Sequence, residues 1–295
     1  MTKQCSYCGQ DSRLCFSSRD YNRSISRVTF DYLICPDCGL IFISSIPDNL
    51  GDYYPNDYHH IPKTIEFLTA NQYHEEYKIR LIKRYVQQGR LLEIGPSLGN
   101  FAYLAKRSGY DAEAIEMDAE CSRFLNDVAG IPTLNSDNVI EALNSLSSYD
   151  VIAMWHVIEH MPDPWRTLER LIDSINVDGI LVLAAPNPNS LQFGVLGRYW
   201  PHVDAPRHLM LIPPQLLTDR LTSMGMKLEL ETTNDEGGLG WNRFGWEHYF
   251  SNLSRRPIIN PALRAIGRTV AKMATPFEKH EGKGSAYTMI FRKKG

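Results

Sequence analysis

Ten residues decide the fold: Leu91-Leu92-Glu93-Ile94-Gly95-Pro96-Ser97-Leu98-Gly99-Asn100. The apolar start is typical of a buried strand, and the two glycines predict a tight turn that runs into a helix. Because glycine has no Cβ, a small molecule can approach the backbone at the carboxyl end of such a strand. The segment therefore predicts a βα unit that binds a ligand, with a purely structural turn as the alternative.

The sequence around this segment repeats the βα pattern. From about Tyr73 to Glu231, short apolar runs alternate with helical periodicity, which predicts an α/β fold with a parallel sheet. The predicted strands are 90–94, 112–116, 151–155, 180–184, 227–231 and 286–292. The predicted helices are 73–88, 100–108, 119–129, 163–176 and 214–224.

Composition narrows the class of protein. The 295 residues carry a formal net charge of −3, so no global basic field attracts nucleic acid. The first residues have no apolar core of a signal peptide, and the longest apolar runs are too short to span a bilayer. We therefore expect the protein to stay in the cytoplasm, where cysteines are reduced.

Two copies of Cys-x-x-Cys-Gly stand near the N-terminus. Cys5, Cys8, Cys35 and Cys38 supply four thiolates, the number that a closed tetrahedral zinc site needs. Redox-active dithiols and simple packing are the alternatives, but the doubled spacing favours structural zinc, since so short a segment cannot fold unaided. Cys15 and Cys121 have no such partner and are interpreted as packing residues.

A second acid lies about twenty residues after the glycine turn. Glu116 ends the next predicted strand, where a carboxylate can bind both hydroxyls of a ribose. An adenosine ligand fits this arrangement, and so does a nicotinamide dinucleotide. The turn reads G-x-S-x-G, however, and lacks the G-x-G-x-x-G spacing of dinucleotide sites.

These residues resemble class I S-adenosylmethionine-dependent methyltransferases. Glu93-x-Gly95-x-Ser97-x-Gly99 is similar to the family's first motif, usually E/D-x-G-x-G-x-G, with Ser97 in place of the middle glycine. The run Glu159-His160-Met161-Pro162-Asp163-Pro164 resembles the fourth-strand motif of quinone-biosynthesis O-methyltransferases. The cysteine module resembles zinc ribbons on bacterial methyltransferases of surface-sugar and natural-product pathways.

The resemblance covers about Leu91 to Glu231 and implies a Rossmann-like, seven-stranded sheet with a final antiparallel hairpin. It also implies that S-adenosylmethionine is the cofactor and that a set of residues near the strand ends binds it. This set comprises Glu93 near the amino group, the turn Gly95, Ser97 and Gly99 at the methionine part, Glu116 at the ribose, Met117 against the adenine, Asp137 near the adenine amine, and His156.

We predict five segments in this order. They are a zinc ribbon at 1–45, a linker or docking segment at 46–72, the cofactor-binding core at 73–232, an aromatic and amphipathic insertion with a potential lid role at 233–284, and the last strand of the core at 285–295.

Methyl transfer to a hydroxyl requires alignment, exclusion of water and removal of a proton. The histidines that follow the fourth and fifth core strands are the candidates for the base, since imidazole titrates near neutral pH. We predict His208 as the base and His160 as its orienter, with a structural role for each as the alternative. His156 and His202 are the other candidates.

His156-x-x-Glu159-His160 also has the residue types of a metal site. It matches the H-x-x-E-H motif of inverted zinc proteases, but it lies at a strand end before Pro162, so we reject that interpretation. Some quinone-type relatives have Glu-x-x-Glu-His here and bind a metal. The replacement of their first glutamate by His156 disfavours a divalent site in this chain.

The segment after Thr232 is rich in aromatic residues between 240 and 250, then basic and apolar at helical spacing from Leu263 to Lys272. Aromatic faces suit sugars, quinones or lipid headgroups. The amphipathic part fits either a helix packed on its own domain or one that rests on a membrane.

The leading hypothesis is an enzyme that methylates a small-molecule, glycan or lipid-linked acceptor, with a hydroxyl favoured over carbon or nitrogen. The alternative is a non-catalytic or RNA-directed protein that binds the cofactor and uses the ribbon for recognition. The near-neutral charge disfavours nucleic acid, as does the absence of Asn/Asp-Pro-Pro-Tyr after the fourth strand, which bears on methylation of base amino groups.

Overall fold

Alternating apolar runs assemble a central sheet in the computed structural model, which describes residues 3–55, 60–254 and 256–295. Seven strands form this sheet in the order β11-β12-β9-β8-β5-β6-β7. Their bounds are Gly89–Ile94 (β5), Tyr110–Glu116 (β6), Thr133–Asn135 (β7), Tyr149–Trp155 (β8), Ile175–Pro186 (β9), Met226–Thr232 (β11) and Ala286–Lys293 (β12).

The strands β9, β8, β5, β6 and β7 run parallel, and β12 lies antiparallel between β9 and β11. The predicted seven-stranded α/β sheet with a final antiparallel hairpin is confirmed. Parallel strands need both faces covered, and β5, β8 and β9 are accordingly almost continuously apolar and buried.

Ten α-helices are described. Their bounds are Glu66–Asn71 (α1), Glu76–Lys83 (α2), Asn100–Arg107 (α3), Ala119–Phe124 (α4), Val139–Ala142 (α5), Pro164–Asp173 (α6), Leu191–Leu196 (α7), Pro214–Ser223 (α8), Glu236–Asn252 (α9) and Asn260–Glu278 (α10). Across the described residues, no helix is both long and apolar enough to cross a membrane.

A second, antiparallel sheet joins the N-terminal segment to the core. Its order is β1-β2-β3-β4-β10, and its strands are Lys3–Gln4 (β1), Asp11–Arg19 (β2), Thr29–Ile34 (β3), Ile41–Ile43 (β4) and Met210–Leu211 (β10). The strand β10 comes from the segment predicted as core and pairs with β4, with Met210 opposite Phe42. The N-terminal segment and the core thus share one hydrophobic cluster.

Several predicted elements differ from the observed ones. The helix predicted over 73–88 is reduced to α2, which is preceded by a 3-10 turn from Gln72 to His74. The helix predicted over 119–129 is α-helical only in α4 and continues as a π turn, Leu125–Ala129, that ends at the left-handed Gly130. Strand β9 begins five residues earlier than predicted, because a register shift lets Ile175 pair with Tyr149.

The segment predicted as linker contains α1 and a 3-10 turn, Leu50–Tyr53, while its Tyr58 and His59 lie outside the described residues. Cys121 is buried as predicted. The packing role predicted for Cys15 is wrong, because this residue lies at the bulge of β2 and is exposed.

One glycine of α9 and one of α10, Gly245 and Gly267, serve close packing. A Cβ on Gly245 would lie 1.9 Å from Oε1 of Gln192, and one on Gly267 would lie 2.7 Å from Cα of Glu247. Glycine inside a helix costs about 1 kcal/mol relative to alanine. Here that cost allows α10 to press directly against the α9 backbone.

Candidate active site

The turn after β5 is left-handed at three positions, with φ of 66° at Gly95, 53° at Ser97 and 78° at Gly99. A Cβ on Gly95 would lie 2.8 Å from Cγ2 of Val157, and one on Gly99 would lie 2.1 Å from Cδ2 of Leu125. Glycine is therefore required at both positions by conformation and by space. Ser97 tolerates the same conformation with a side chain, so the middle position of the turn does not need glycine here.

Glu116 at the end of β6 is held by this turn. Its Oε2 accepts a hydrogen bond from the Ser97 amide at 2.8 Å, and its Oε1 accepts one from the Asp118 amide at 2.8 Å. Burial raises the pKa of Glu116, while these amide donors act to lower it. The carboxylate is thus fixed in place before any ligand binds.

Glu93 is buried within β5, and burial raises its pKa to about 8, with the ammonium of Lys78 acting in the opposite direction. Lys78 comes from α2 and lies 4.5 Å from the ring centre of Trp155. Sequence reasoning missed both Lys78 and Trp155, because neither belongs to the glycine motif.

The other predicted cofactor residues lie at the same sheet edge. Met117 is 66% exposed after β6, and Asp137 is exposed after the neighbouring β7. His156 follows β8 in a left-handed conformation, with φ of 58°, and its ring centre is 4.6 Å from that of Trp241. Their roles stay predictions.

A cavity of about 540 Å³ lies beyond His156. Four segments that are far apart in the sequence build its wall, and five of its lining side chains are imidazoles. The lining residues are Asn22, Arg23, His156, Glu159, His160, Pro201, His202, Asp204, His208, Trp241, Phe244 and His248.

The two histidines predicted for catalysis meet in this cavity, with ring centres 4.6 Å apart. Nδ1 of His208 lies 2.7 Å from the carbonyl oxygen of His202, and Nδ1 of His160 lies 3.0 Å from that of Arg207. Since a carbonyl only accepts, Nδ1 of His208 carries the proton and its Nε2 is left as an acceptor. Nδ1 of His160 also lies 3.0 Å from the hydroxyl of Tyr54. Burial, and then the charge of His208, lower the pKa of His160 to about 4.

Glu159 lies beside them and is only 1% exposed. Among the described residues, neither of its side-chain oxygens has a hydrogen-bond partner, and the nearest cation-forming atom is Nδ1 of His156 at 3.5 Å. Ligand atoms of Glu159, His160 and His208 all lie within 4.8 Å of one another. This set fits a divalent cation chemically. Sequence reasoning disfavoured a site formed by His156, Glu159 and His160, and it did not include His208, which comes from another loop.

A buried ion network holds the histidine loop. Nη2 of Arg207 donates to Asp20 at 2.8 Å and to Asp204 at 2.7 Å, and Arg207 and Asp20 are fully buried side chains. The hydroxyl of Tyr32 donates to the carbonyl oxygen of His208 at 2.8 Å. Removing one partner of such a network costs about 3–5 kcal/mol. The N-terminal sheet therefore positions the residue predicted as base.

The four predicted zinc ligands also meet. Sγ of Cys5 lies 3.6 Å from that of Cys38, and Sγ of Cys8 lies 3.4 Å from that of Cys35. Four thiolates at about 2.3 Å from a tetrahedral zinc ion would be about 3.8 Å apart. Gly9 and Gly39 adopt equivalent left-handed turns, with φ of 75° and 76°. The cluster therefore fits zinc.

Comparison with known proteins places this geometry in context. A family model described as a methyltransferase domain matches residues 69–231. A comparison with curated proteins gives no match.

Among solved structures, a SAM-dependent methyltransferase from Archaeoglobus fulgidus aligns with a TM-score of 0.50 and 19% identity, over 78% of this chain and 97% of that one. Coclaurine N-methyltransferase, bound to N-methylheliamine and SAH, gives 0.48 and 15% over 74% and 71%. The mitomycin 7-O-methyltransferase MmcR gives 0.47 and 10% over 76% and 54%. At these identities the likeness concerns the fold.

Proposed function

Starting from the fact that the chain belongs to the methyltransferase-domain family and is an S-adenosylmethionine-dependent methyltransferase, we propose that it methylates a hydroxyl of a small molecule or glycan held in the histidine-lined cavity. The observation that carries this proposal is the pair His208 and His160, whose Nδ1 atoms are tied to carbonyl oxygens. The cavity that holds them is also lined by His156, and the next residue, Val157, packs against Gly95 of the glycine turn. Family membership also disfavours the non-catalytic, RNA-directed alternative.

The cofactor end of the site would use the predicted residues. The backbone from Gly95 to Gly99 can approach the methionine part, and the fixed carboxylate of Glu116 can accept from ribose hydroxyls. When bound, S-adenosylmethionine supplies an activated methyl group on its sulfonium. The fit rests on the close approach that glycine permits at this turn.

The acceptor end suits a small, partly apolar ligand. A volume of about 540 Å³ lies within the range of small-molecule sites. The rings of Trp241 and Phe244 offer faces for a sugar or another ring, and the loop at Asn22 and Arg23 offers polar groups. The N-terminal module would thus contribute to acceptor recognition, beyond its structural zinc.

His208 would act as the base. Its Nδ1–H donates to the His202 carbonyl, so Nε2 can accept the acceptor's hydroxyl proton. His160 packs edge-on against this ring and would orient it. Burial lowers the pKa of His202 to about 3, which suits it to a structural, uncharged role.

One observation favours an alternative role for the same cluster, in which His208 binds a cation and does not act as the base. The buried carboxylate of Glu159 accepts no hydrogen bond within the described residues, so its oxygens are open to a cation. Glu159, His160 and His208 would hold a divalent cation, which would lower the pKa of an acceptor hydroxyl as a Lewis acid. The sequence disfavours this site, whereas the placement of His208 supports it.

The first test is calorimetry with S-adenosylhomocysteine and, separately, NAD. We expect the wild-type protein to bind the former and not the latter, and Glu116→Ala to weaken binding about tenfold to hundredfold, since hydrogen bonds to a charged group contribute about 1.5–3 kcal/mol. Glu120→Ala, at an exposed position of α4, is the matched control. Tight NAD binding, or unchanged affinity in Glu116→Ala, would contradict the assignment.

A further inference from the structure

A groove of about 610 Å³ lies between α9 and α10. Its residues on α10 follow the three- and four-residue spacing of one helix face. Four of the nine lining side chains are cationic and none is acidic. The lining residues are Leu239, Asn242, Arg243, Ala265, Arg268, Ala271, Lys272, Thr275 and Lys279. The groove thus has the size of a small-molecule site and a positively charged wall.

Three of these four cations have no counter-ion within the described residues. Arg243 pairs with Glu247 at 2.5 Å. The other three, Arg268, Lys272 and Lys279, are exposed. Arg268 and Lys272 stand one helical turn apart, and Lys279 lies about 10 Å further along the axis. Because like charges at this spacing repel each other, an anion bound between them stabilises the helix.

Asn242 adds a hydrogen-bond donor to the groove. The residue is only 4% exposed, and its Oδ1 accepts a hydrogen bond from the Ser285 amide at 2.6 Å. This bond fixes the orientation of the side-chain amide, so Nδ2 is the atom left to donate. In the part of the chain that the structure describes, Nδ2 has no acceptor. An anionic oxygen in the groove would supply one, and such charge-assisted bonds are about twice as strong as neutral ones.

We propose that this groove binds a small organic molecule that carries at least two phosphate groups. Arginine binds phosphate as a planar fork and lysine binds it as a point charge. One phosphate can contact Arg268 and Lys272 together, and Lys279 is far enough along the groove to contact a second. Two phosphates bring about three to four negative charges near neutral pH, which balances the three unpaired cations. Leu239 and Ala265 offer apolar surface to the organic part.

This groove is separate from the histidine-lined cavity. At about 100° per residue, Leu239 and Arg243 lie on the side of α9 opposite to Trp241 and His248. The first pair lines the groove and the second pair lines the cavity. The chain as a whole carries −3, so a long polyanion such as nucleic acid would meet repulsion beyond the groove. A phosphorylated small molecule therefore fits the groove better, and its binding does not depend on the proposed methyl acceptor.

The test is calorimetric titration of the full-length protein with inorganic tripolyphosphate, in the presence of saturating S-adenosylhomocysteine. We expect binding that Arg268→Gln/Lys272→Gln weakens about a hundredfold, because two charge-assisted contacts are lost. Asn242→Asp should weaken binding at least about tenfold, since it keeps the acceptor for the Ser285 amide and puts a negative charge in place of the donor. Inorganic phosphate, with one group, should bind at least about tenfold more weakly than tripolyphosphate.

Matched controls separate this groove from general charge and from the cavity. Arg123→Gln/Arg166→Gln removes two exposed charges elsewhere, and Arg23→Gln removes a cation of the histidine-lined cavity. Both should leave tripolyphosphate affinity unchanged, and circular dichroism verifies the folding of every variant. If Asn242→Asp does not fold, the exposed pair Arg268 and Lys272 still provides the test. The proposal is overturned if the wild type does not bind tripolyphosphate, if either control loses as much affinity as the groove variants, or if inorganic phosphate or a single-stranded oligonucleotide binds more tightly through the same residues.

Discussion

Glu116 and Glu159 are both buried carboxylates that follow parallel strands of one sheet, yet their oxygens have different surroundings. Both oxygens of Glu116 accept amide hydrogen bonds from residues within or next to its own βα units. Neither oxygen of Glu159 accepts a hydrogen bond within the described residues, and its neighbours are imidazoles: Nδ1 of His156 at 3.5 Å, the adjacent His160, and His208 from another loop. Burial raises the pKa of Glu116, whereas the imidazoles around Glu159 hold its pKa below the usual range against the effect of burial.

The contrast divides the site into two halves. The glycine turn with Glu116 is the preformed half, and the cavity with Glu159 is the half that a ligand completes. A carboxylate that backbone donors hold in place can bind a ligand without rearrangement. No binding free energy is then lost in ordering the side chain. The carboxylate of Glu159 is instead held by the charges of nearby imidazoles, which a bound ligand or cation can change. The cavity half should therefore respond to ligands, metals and distant substitutions more strongly than the glycine turn.

The largest expected effect is loss of the zinc ion proposed at the four-cysteine cluster, by Cys35→Ser or by chelation. Structural zinc contributes about 10–16 kcal/mol to the folding of small modules, so the N-terminal sheet should unfold and take Asp20 away from Arg207. We expect turnover to be lost while affinity for S-adenosylhomocysteine changes less than about fivefold. Metal analysis, turnover and calorimetry on the same preparation measure this.

Cys15→Ser provides the control, since Cys15 is exposed and lies outside the cluster. Normal turnover in a zinc-free protein would contradict this prediction, because it would show that the cavity half does not depend on the N-terminal module.

The next effect concerns the proposed base. His208→Ala should lower turnover about a hundredfold to ten-thousandfold with cofactor affinity nearly intact, because general base catalysis contributes that much. His280→Ala, at an exposed site, is the matched control. A His160→Ala/His208→Ala double variant with near-normal turnover would instead indicate alignment alone, or an acceptor that needs no base.

The two carboxylates can be compared directly. Glu159→Gln should lower turnover about tenfold to hundredfold and leave cofactor affinity unchanged. Glu116→Gln should instead lower cofactor affinity by a similar factor and leave turnover unchanged, because its charge binds the cofactor and does not act on the acceptor. If the cluster holds a divalent cation, added Fe²⁺ or Ni²⁺, which imidazoles bind well, should raise turnover of the wild type but not of Glu159→Gln. Equal loss of affinity in both variants would contradict the separation.

The smallest expected effect concerns Glu278, a carboxylate intermediate between Glu116 and Glu159. Glu278 is buried, and its Oε1 accepts from Gln192 at 2.7 Å and from Trp246 at 2.8 Å, while Oε2 has no partner among the described residues. Burial raises its pKa, so the native state keeps this proton at a pH where the unfolded chain has lost it. Its contribution to stability is therefore present at low pH and lost as pH rises through the native pKa.

Glu278→Gln keeps the acceptor oxygen and removes the charge. We expect the variant to equal or exceed the wild type in free energy of unfolding at pH 8 by up to about 1 kcal/mol, and the difference to shrink toward pH 4.5. Urea unfolding at both pH values measures it. A variant that is less stable at pH 8 would mean that the ionised carboxylate is stabilised in the fold.

Local patterns predicted the preformed half. The turn at Gly95 and Gly99 and the strand that ends at Glu116 could be predicted because each depends on a short, continuous stretch of sequence, with a fixed glycine spacing or an apolar run. The cavity half depends on contacts between distant positions, such as Asp20 with Arg207 and His156 with Trp241, which leave no periodic signal. Strand β10 has only two residues, too few for any pattern. The histidine loops were predicted as neighbours only because parallel strands end at one edge.

The pairing of β10 with β4 has a consequence for anyone who cuts the chain. Residues Ile41 to Ile43 are all buried, and β10 covers the outer edge of this short strand. An excised N-terminal module would expose that apolar edge with unpaired amides and carbonyls, a template for adding strands from other molecules. Expression of residues 1–45 alone should therefore favour aggregates, and the module can be transplanted only together with the loop that carries Met210 and Leu211.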